Sequence, residues 1–137
     1  MRMKAEDKAK WLEALRSGEY GQVDNILCED GKYCCLGVLE VILDGDVERN
    51  VSGNVLGSPT CDFLSRHGIS IELRDTAADP PADPAIPAFD WKGTYGTLIL
   101  MNDELEVDEY GEMIYGAHIN TFKDIANYIE QNVEVYE

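Results

Sequence analysis

The sequence predicts an α+β fold: a single compact domain, residues 1–137, with three or four helices around a buried central helix and one or two short β-hairpins. Three observations carry this reading. Residues 35–43 are apolar except for Gly37 and Glu40, too apolar for a helix on the surface. Segments near both ends repeat apolar residues at helical spacing. Asp30-Gly31 and Tyr110-Gly111 supply turn chemistry between short strand-like stretches. A chain of 137 residues suits one domain and buries a core without disulfides or metal.

Residues 5–17 form the first predicted helix. Lys8, Trp11, Leu12 and Leu15 share a stripe, with the Lys8 stem laid along it, and Gly18 suits the position past the end. Residues 25–28 and 33–34 pair as a hairpin around Glu29-Asp30-Gly31-Lys32. The central helix follows over 35–43: Leu36, Leu39 and Leu43 share one face and Cys35, Val38 and Ile42 the next, before Asp44-Gly45 stops it. Residues 44–58 are rich in Gly, Asn and Asp and read as a loop or loose hairpin. Ser58 is expected as an N-cap, with Pro59 at the first helical position of a short helix through Cys61, Phe63 and Leu64. Ile69, Ile71 and Leu73 alternate with polar residues as a strand would. Residues 79–88 hold four of the five prolines and read as an extended surface loop. Residues 97–102 are apolar and fit helix or strand equally. Residues 104–120 suit a hairpin, with Leu105, Val107, Met113 and Tyr115 facing the body and the carboxylates facing water. Thr121 and Asp124 form a capping box for a last helix, in which Phe122, Ile125, Ala126 and Ile129 line one face.

The net charge of −16 narrows the function classes. So acidic a chain is not a general binder of nucleic-acid backbones, and it is repelled by anionic membranes. No apolar run approaches the roughly 20 residues of a membrane span. The first residues alternate in charge and lack an apolar signal core, so a cytoplasmic location is expected. The charge is uneven. Residues 1–16 carry five bases against three acids, whereas Asp103 to Glu112 hold six acids and no base. Such a stretch is either a solvated face or an acidic edge that docks on a basic partner or mimics nucleic acid.

Candidate chemistry is sparse. Cys34 and Cys35 stand at a helix start, where backbone N–H groups and the dipole favour a thiolate. A cysteine hydrolase adds a histidine base, for which His118 is the candidate. The opposing reading has all four cysteines, Cys28, Cys34, Cys35 and Cys61, as reduced, buried, inert thiols. Neither their spacing nor that of Asp44, Asp46 and Glu48 suits a metal, and no cofactor is expected. Arg16, Tyr20 and Gln22 make a polar corner at the end of the first helix, suited to gripping a carboxylate, phosphate or base edge, or to latching local backbone. Asn102-Asp103 either end a helix through their own backbone or rim a pocket. No P-loop, GxGxxG, GxSxG or HExxH motif is present.

Two strings go further. Lys10-Trp11-Leu12-Glu13-Ala14-Leu15-Arg16-Ser17-Gly18-Glu19-Tyr20-Gly21-Gln22 and Tyr33-Cys34-Cys35-Leu36-Gly37-Val38-Leu39 resemble a family of small phage and prophage proteins that read W-x-x-A-L-R-S-G-x-Y-x-Q and Y-C-C-L-G-V-L. The family's L-N-D and final helix resemble Met101-Asn102-Asp103 and residues 121–130. This chain departs by inserting Glu104 to Asn120, so His118 is not a family position. The resemblance implies a phage or prophage origin and a role inside an infected bacterium, and it brings no mechanism. The leading expectation is therefore an accessory protein that binds: a host protein, such as a defence component, or a nucleotide-like ligand that it sequesters. The alternatives are a small cysteine-dependent enzyme and an acidic nucleic-acid mimic.

Overall fold

The computed structural model describes residues 1–77, 80–81 and 83–136. Among these residues five helices and three small sheets form around one apolar core, an α+β fold as the sequence predicts. Helix α1 (Ala5–Arg16) and helix α2 (Cys35–Asp44) flank the first sheet, built from β2 (Gly21–Gln22), β3 (Cys28–Glu29) and β4 (Lys32–Tyr33). Strands β3 and β4 make the expected hairpin. Asp30 and Gly31 both take positive φ, 52° and 77°, the backbone that a two-residue turn of the primed type requires. Strand β2 adds to β4 in parallel, which the sequence did not reveal.

Helix α2 is the centre. Cys35 to Glu40 are all buried along it. Trp11, Leu15, Leu36, Leu39, Phe122, Ile125 and Ile129 share its core. Gly37 is fixed by packing: a Cβ there would lie 1.9 Å from the Leu27 carbonyl oxygen. Helix α3 (Cys61–Arg66) starts two residues later than Ser58 suggests. Its N-cap is Thr60, whose Oγ1 accepts from the Phe63 N–H, while its own N–H and hydroxyl donate to Glu48 at 2.9 and 2.5 Å. The predicted strand over 69–74 does not form. Ser70 bridges Arg2 and Leu73 bridges Phe89, so alternation there serves two different neighbours and no ladder develops. The segment after α2, up to residue 58, forms the loose hairpin: Arg49 bridges Val55, Leu56 N–H donates to the Glu48 carbonyl and Asn54 accepts the Asn50 N–H. Of the proline-rich stretch, Asp79 and Ala82 lie outside the described residues; Pro80 and residues 83–85 are exposed, whereas Pro87 is buried, and the Ala85 carbonyl accepts from Cys61 N–H.

The ambiguous run resolves as helix α4 (Thr94–Asp103). It leads into strands β5 (Leu105–Val107) and β6 (Met113–His118), then α5 (Phe122–Asn132) with its capping box. Lys8 from α1 donates its amine to the Glu130 and Val133 carbonyls at the end of α5, which adds a charge favourable to that helix terminus. Strands β1 (Arg2–Met3) and β7 (Glu134–Val135) pair in parallel and tie the two ends of the described chain together. No described helix is long and apolar enough to cross a membrane.

Candidate functional site

Asn102 lies in the last turn of α4 with its side chain buried, and four groups meet on its amide. Its Oδ1 accepts from Cys35 N–H at 3.1 Å and from Gln22 Nε2 at 3.3 Å. Its Nδ2 donates to the Val23 carbonyl at 2.9 Å and to Asp103 Oδ1 at 3.1 Å. Asp103 Oδ1 also accepts the N–H of Asn25, a residue held at φ 63°. One side chain thus joins α4, the start of α2 and the segment after β2. Of the residues that sequence reasoning singled out, Gln22, Asn102, Asp103, Cys34 and Cys35 come together here.

The cluster faces inward. The recess between Cys34, Cys35, Asn102 and Asp103 holds about 20 Å³, room for one water and far below the few hundred Å³ of a ligand pocket. Burial pushes the Cys34 thiol up to about 12, against the pull of the N–H groups of Gly37 and Leu36. Burial also holds Cys35 well above the ordinary thiol range. Both are therefore protonated at neutral pH. Cys34 Sγ accepts from the Gly37 N–H and so serves as the N-cap of α2. His118 Nδ1 lies 3.0 Å from the Asn102 carbonyl, and its buried Nε2 finds no hydrogen-bond partner among the described residues, so neither ring nitrogen engages a cysteine. All four cysteines are free thiols, but only two are buried: Cys28 is half-buried and Cys61 exposed, since α3 turns Cys61 outward beneath the Pro84 carbonyl.

Arg16 and Tyr20 do not join the cluster. Arg16 reaches across to α5, where Asn127 and Glu130 accept from its guanidinium at 3.0 and 3.2 Å. Tyr20 packs edge-on against Tyr33 and borders an open hollow with Lys10, Glu13 and Ser17. The expected corner is thus divided among three neighbours. No group of three or more metal-ligating side chains occurs among the described residues.

The second candidate is the β5–β6 hairpin. Its turn is built by Asp108, whose Oδ1 accepts from the N–H groups of Tyr110 and Glu112. The register is irregular: Leu105 pairs with His118 and Val107 with Met113, so three residues of β5 face six of β6. Gly116, at φ 83°, takes up this bulge. The expectation that Leu105, Val107, Met113 and Tyr115 all face the body holds for Leu105 alone, which is 6% exposed. Val107 is 59% exposed, Met113 60% and Tyr115 86%. The hairpin is fastened at its base, by Leu105, by His118 and by the Ile119 N–H to the Glu104 carbonyl, and stands clear beyond. Tyr110, Ile114 and Ile119 are exposed with it. No described Lys or Arg lies within ion-pair distance of Glu104, Glu106, Glu109 or Glu112. The apolar face was missed because alternation assigns two faces to a strand without saying which has a neighbour.

Residues 3–55 match the family model of a domain of unknown function, DUF8296. That stretch takes in α1, β2–β4 and α2 and ends before the hairpin. No curated protein and no solved structure matches the chain.

Proposed function

We propose that this chain is a phage or prophage accessory protein that acts by binding another protein, and that the β5–β6 hairpin is the part that binds. The observation that carries this reading is the exposure of Val107, Met113 and Tyr115 on the outer part of the hairpin, beyond its buried base. Large apolar side chains grouped on a projecting element mark interaction surfaces, whereas scattered ones do not. The phage half of the reading rests on the resemblance of residues 10–22 and 33–39, and the presence of phage genes beside the coding sequence tests it. A cysteine enzyme finds no support in Cys34 and Cys35, because both thiols hold their protons.

The test is capture from a bacterial lysate with the tagged protein. Wild type is compared with a variant carrying Met113→Ser together with Tyr115→Ser, and with Val51→Ser, an exposed valine in the loose hairpin. A protein retained by wild type and by Val51→Ser should be lost at least about tenfold with the double variant, the scale of removing two anchors. If the double variant retains the same proteins equally well, the hairpin is not the binding element.

A further inference from the structure

We infer that residues 45–60, between α2 and α3, form a strap held closed by one proton on Glu40, so that rising pH drives its local opening. The inference starts from a series of contacts. Glu40 Oε1 accepts the Glu48 N–H at 2.9 Å. Glu48 Oε1 accepts the Thr60 N–H at 2.9 Å, and its Oε2 accepts the Thr60 hydroxyl at 2.5 Å. Thr60 Oγ1 in turn accepts the Phe63 N–H and caps α3. A fully buried carboxyl on the central helix is thus the root of the strap and of the start of α3. The strap's other anchors are modest. Val47 and Pro59 are buried, Val55 and Leu56 half-buried, and the Leu56 carbonyl accepts the Leu27 N–H at 3.0 Å.

The surroundings of Glu40 suit a neutral carboxyl and not a charged one. The titratable groups that face it are Glu48 from the strap, Asp44 one turn further along α2, the Cys34 thiol at the start of that helix and the Tyr95 hydroxyl from α4. Arg66 and His67 of α3 are spent on Asp44, at 3.2 and 2.7 Å. Among the described residues Glu40 makes no ion pair. No described N–H or O–H donates to its buried Oε2, where a carboxylate would need a donor. The closed form therefore keeps the proton to about pH 8, whereas a hydrated carboxyl releases it near 4.5. Between these limits opening the strap releases one proton, and each unit of pH favours the open form about tenfold. Acid closes the strap and base opens it. Global unfolding releases the same proton, but strap opening exposes far less surface, so its dependence on urea is shallow.

Amide hydrogen exchange of the full chain, followed residue by residue from about pH 5.5 to about pH 7.5, tests this device. The Glu48, Thr60 and Phe63 amides report the strap, and the Ile125 amide, bonded to the Thr121 carbonyl in α5, reports the core. Base catalysis alone speeds exchange about tenfold per pH unit, and the released proton should raise this to about 100-fold at the three strap amides. Their rates should change little with urea while that of Ile125 climbs steeply. Glu40→Gln should return the strap amides to the tenfold slope. His67→Gln, which removes the histidine paired with Asp44, should leave the steep slope in place. A tenfold slope in wild type overturns the inference, as does a steep slope that survives Glu40→Gln or vanishes in His67→Gln. Strap amides as sensitive to urea as Ile125 also overturn it, because the opening is then global unfolding. The slope and urea dependence of wild type decide the matter even if Glu40→Gln fails to fold.

Discussion

Glu40 shows what a single residue in the core does to the whole. Its carboxyl is fully buried in α2, with Oε1 accepting the Glu48 N–H at 2.9 Å and Oε2 without a partner among the described residues. Burial raises its pKa from the ordinary 4.5 to about 8; the Glu48 N–H opposes the rise, and the nearby carboxylates of Glu48 and Asp44 add to it. The unfolded chain releases this proton near pH 4.5, while the folded chain keeps it until about pH 8. Stability is therefore lost as pH climbs through that window, up to ~3 kcal/mol by pH 7. Glu40→Gln removes the titration and keeps an acceptor for Glu48. Urea unfolding should show the variant gaining on wild type from pH 5 to pH 8 and matching it near pH 4.5. Parallel pH profiles for the two proteins would mean that Glu40 is ionised in the fold. The sequence marked Glu40 only as an exception in an apolar run. Asn102 and Asp103 were legible as a polar pair closing a helix or strand. Their hub was not, because Gln22 and Cys35 lie 80 and 67 positions away.

At the scale of elements, legibility followed the strength of local signals. Helices α1, α2 and α5 carry amphipathic spacing or a cap in their own residues, and each forms where expected. Helix α4 does not: Leu98, Ile99, Leu100 and Met101 are consecutive, so neither period shows, and its faces are set by α2 and α5. Ser58-Pro59 resembled a helix start, but Glu48, twelve residues before Thr60, fixes the start at Thr60 instead. The β5–β6 hairpin was legible in its turn and its pairing, and illegible in its orientation. Because Leu105, His118 and the Ile119 N–H bond to the Glu104 carbonyl fasten it at its base, its outer part should be dispensable for folding. Replacing residues 107–115 with a short Gly-Ser turn removes Asp108, Glu109 and Glu112 and no buried side chain. The expected change in unfolding free energy is under about 1 kcal/mol, the range of surface changes. A loss above about 2 kcal/mol would make the hairpin part of the scaffold.

For the whole molecule, the four thiols provide a graded test of how the core is closed. Cys61 is exposed, Cys28 half-buried, and Cys34 and Cys35 buried at the start of α2. The two buried thiols are shielded twice: by exclusion of reagent, and by pKa values raised by the same burial. The start of α2 is also where the Asn102 hub and the Trp11 Nε1–H bond to the Cys35 carbonyl converge, at 2.9 Å for the latter. Nothing at that point opens without breaking contacts among α1, α2 and α4 together. Alkylation in native buffer, resolved by site with mass spectrometry, should therefore modify Cys61 first and Cys28 more slowly. Cys34 and Cys35 should label at least ~10³-fold more slowly than Cys61, the suppression expected when reaction waits for global unfolding of a marginally stable domain. Their labelling rates should then rise with urea as steeply as the unfolding equilibrium does. Labelling of Cys34 that is fast and insensitive to urea would show that the start of α2 opens on its own. The hub would then be a gate and not a lock, and a thiol chemistry that the closed form withholds would return to consideration.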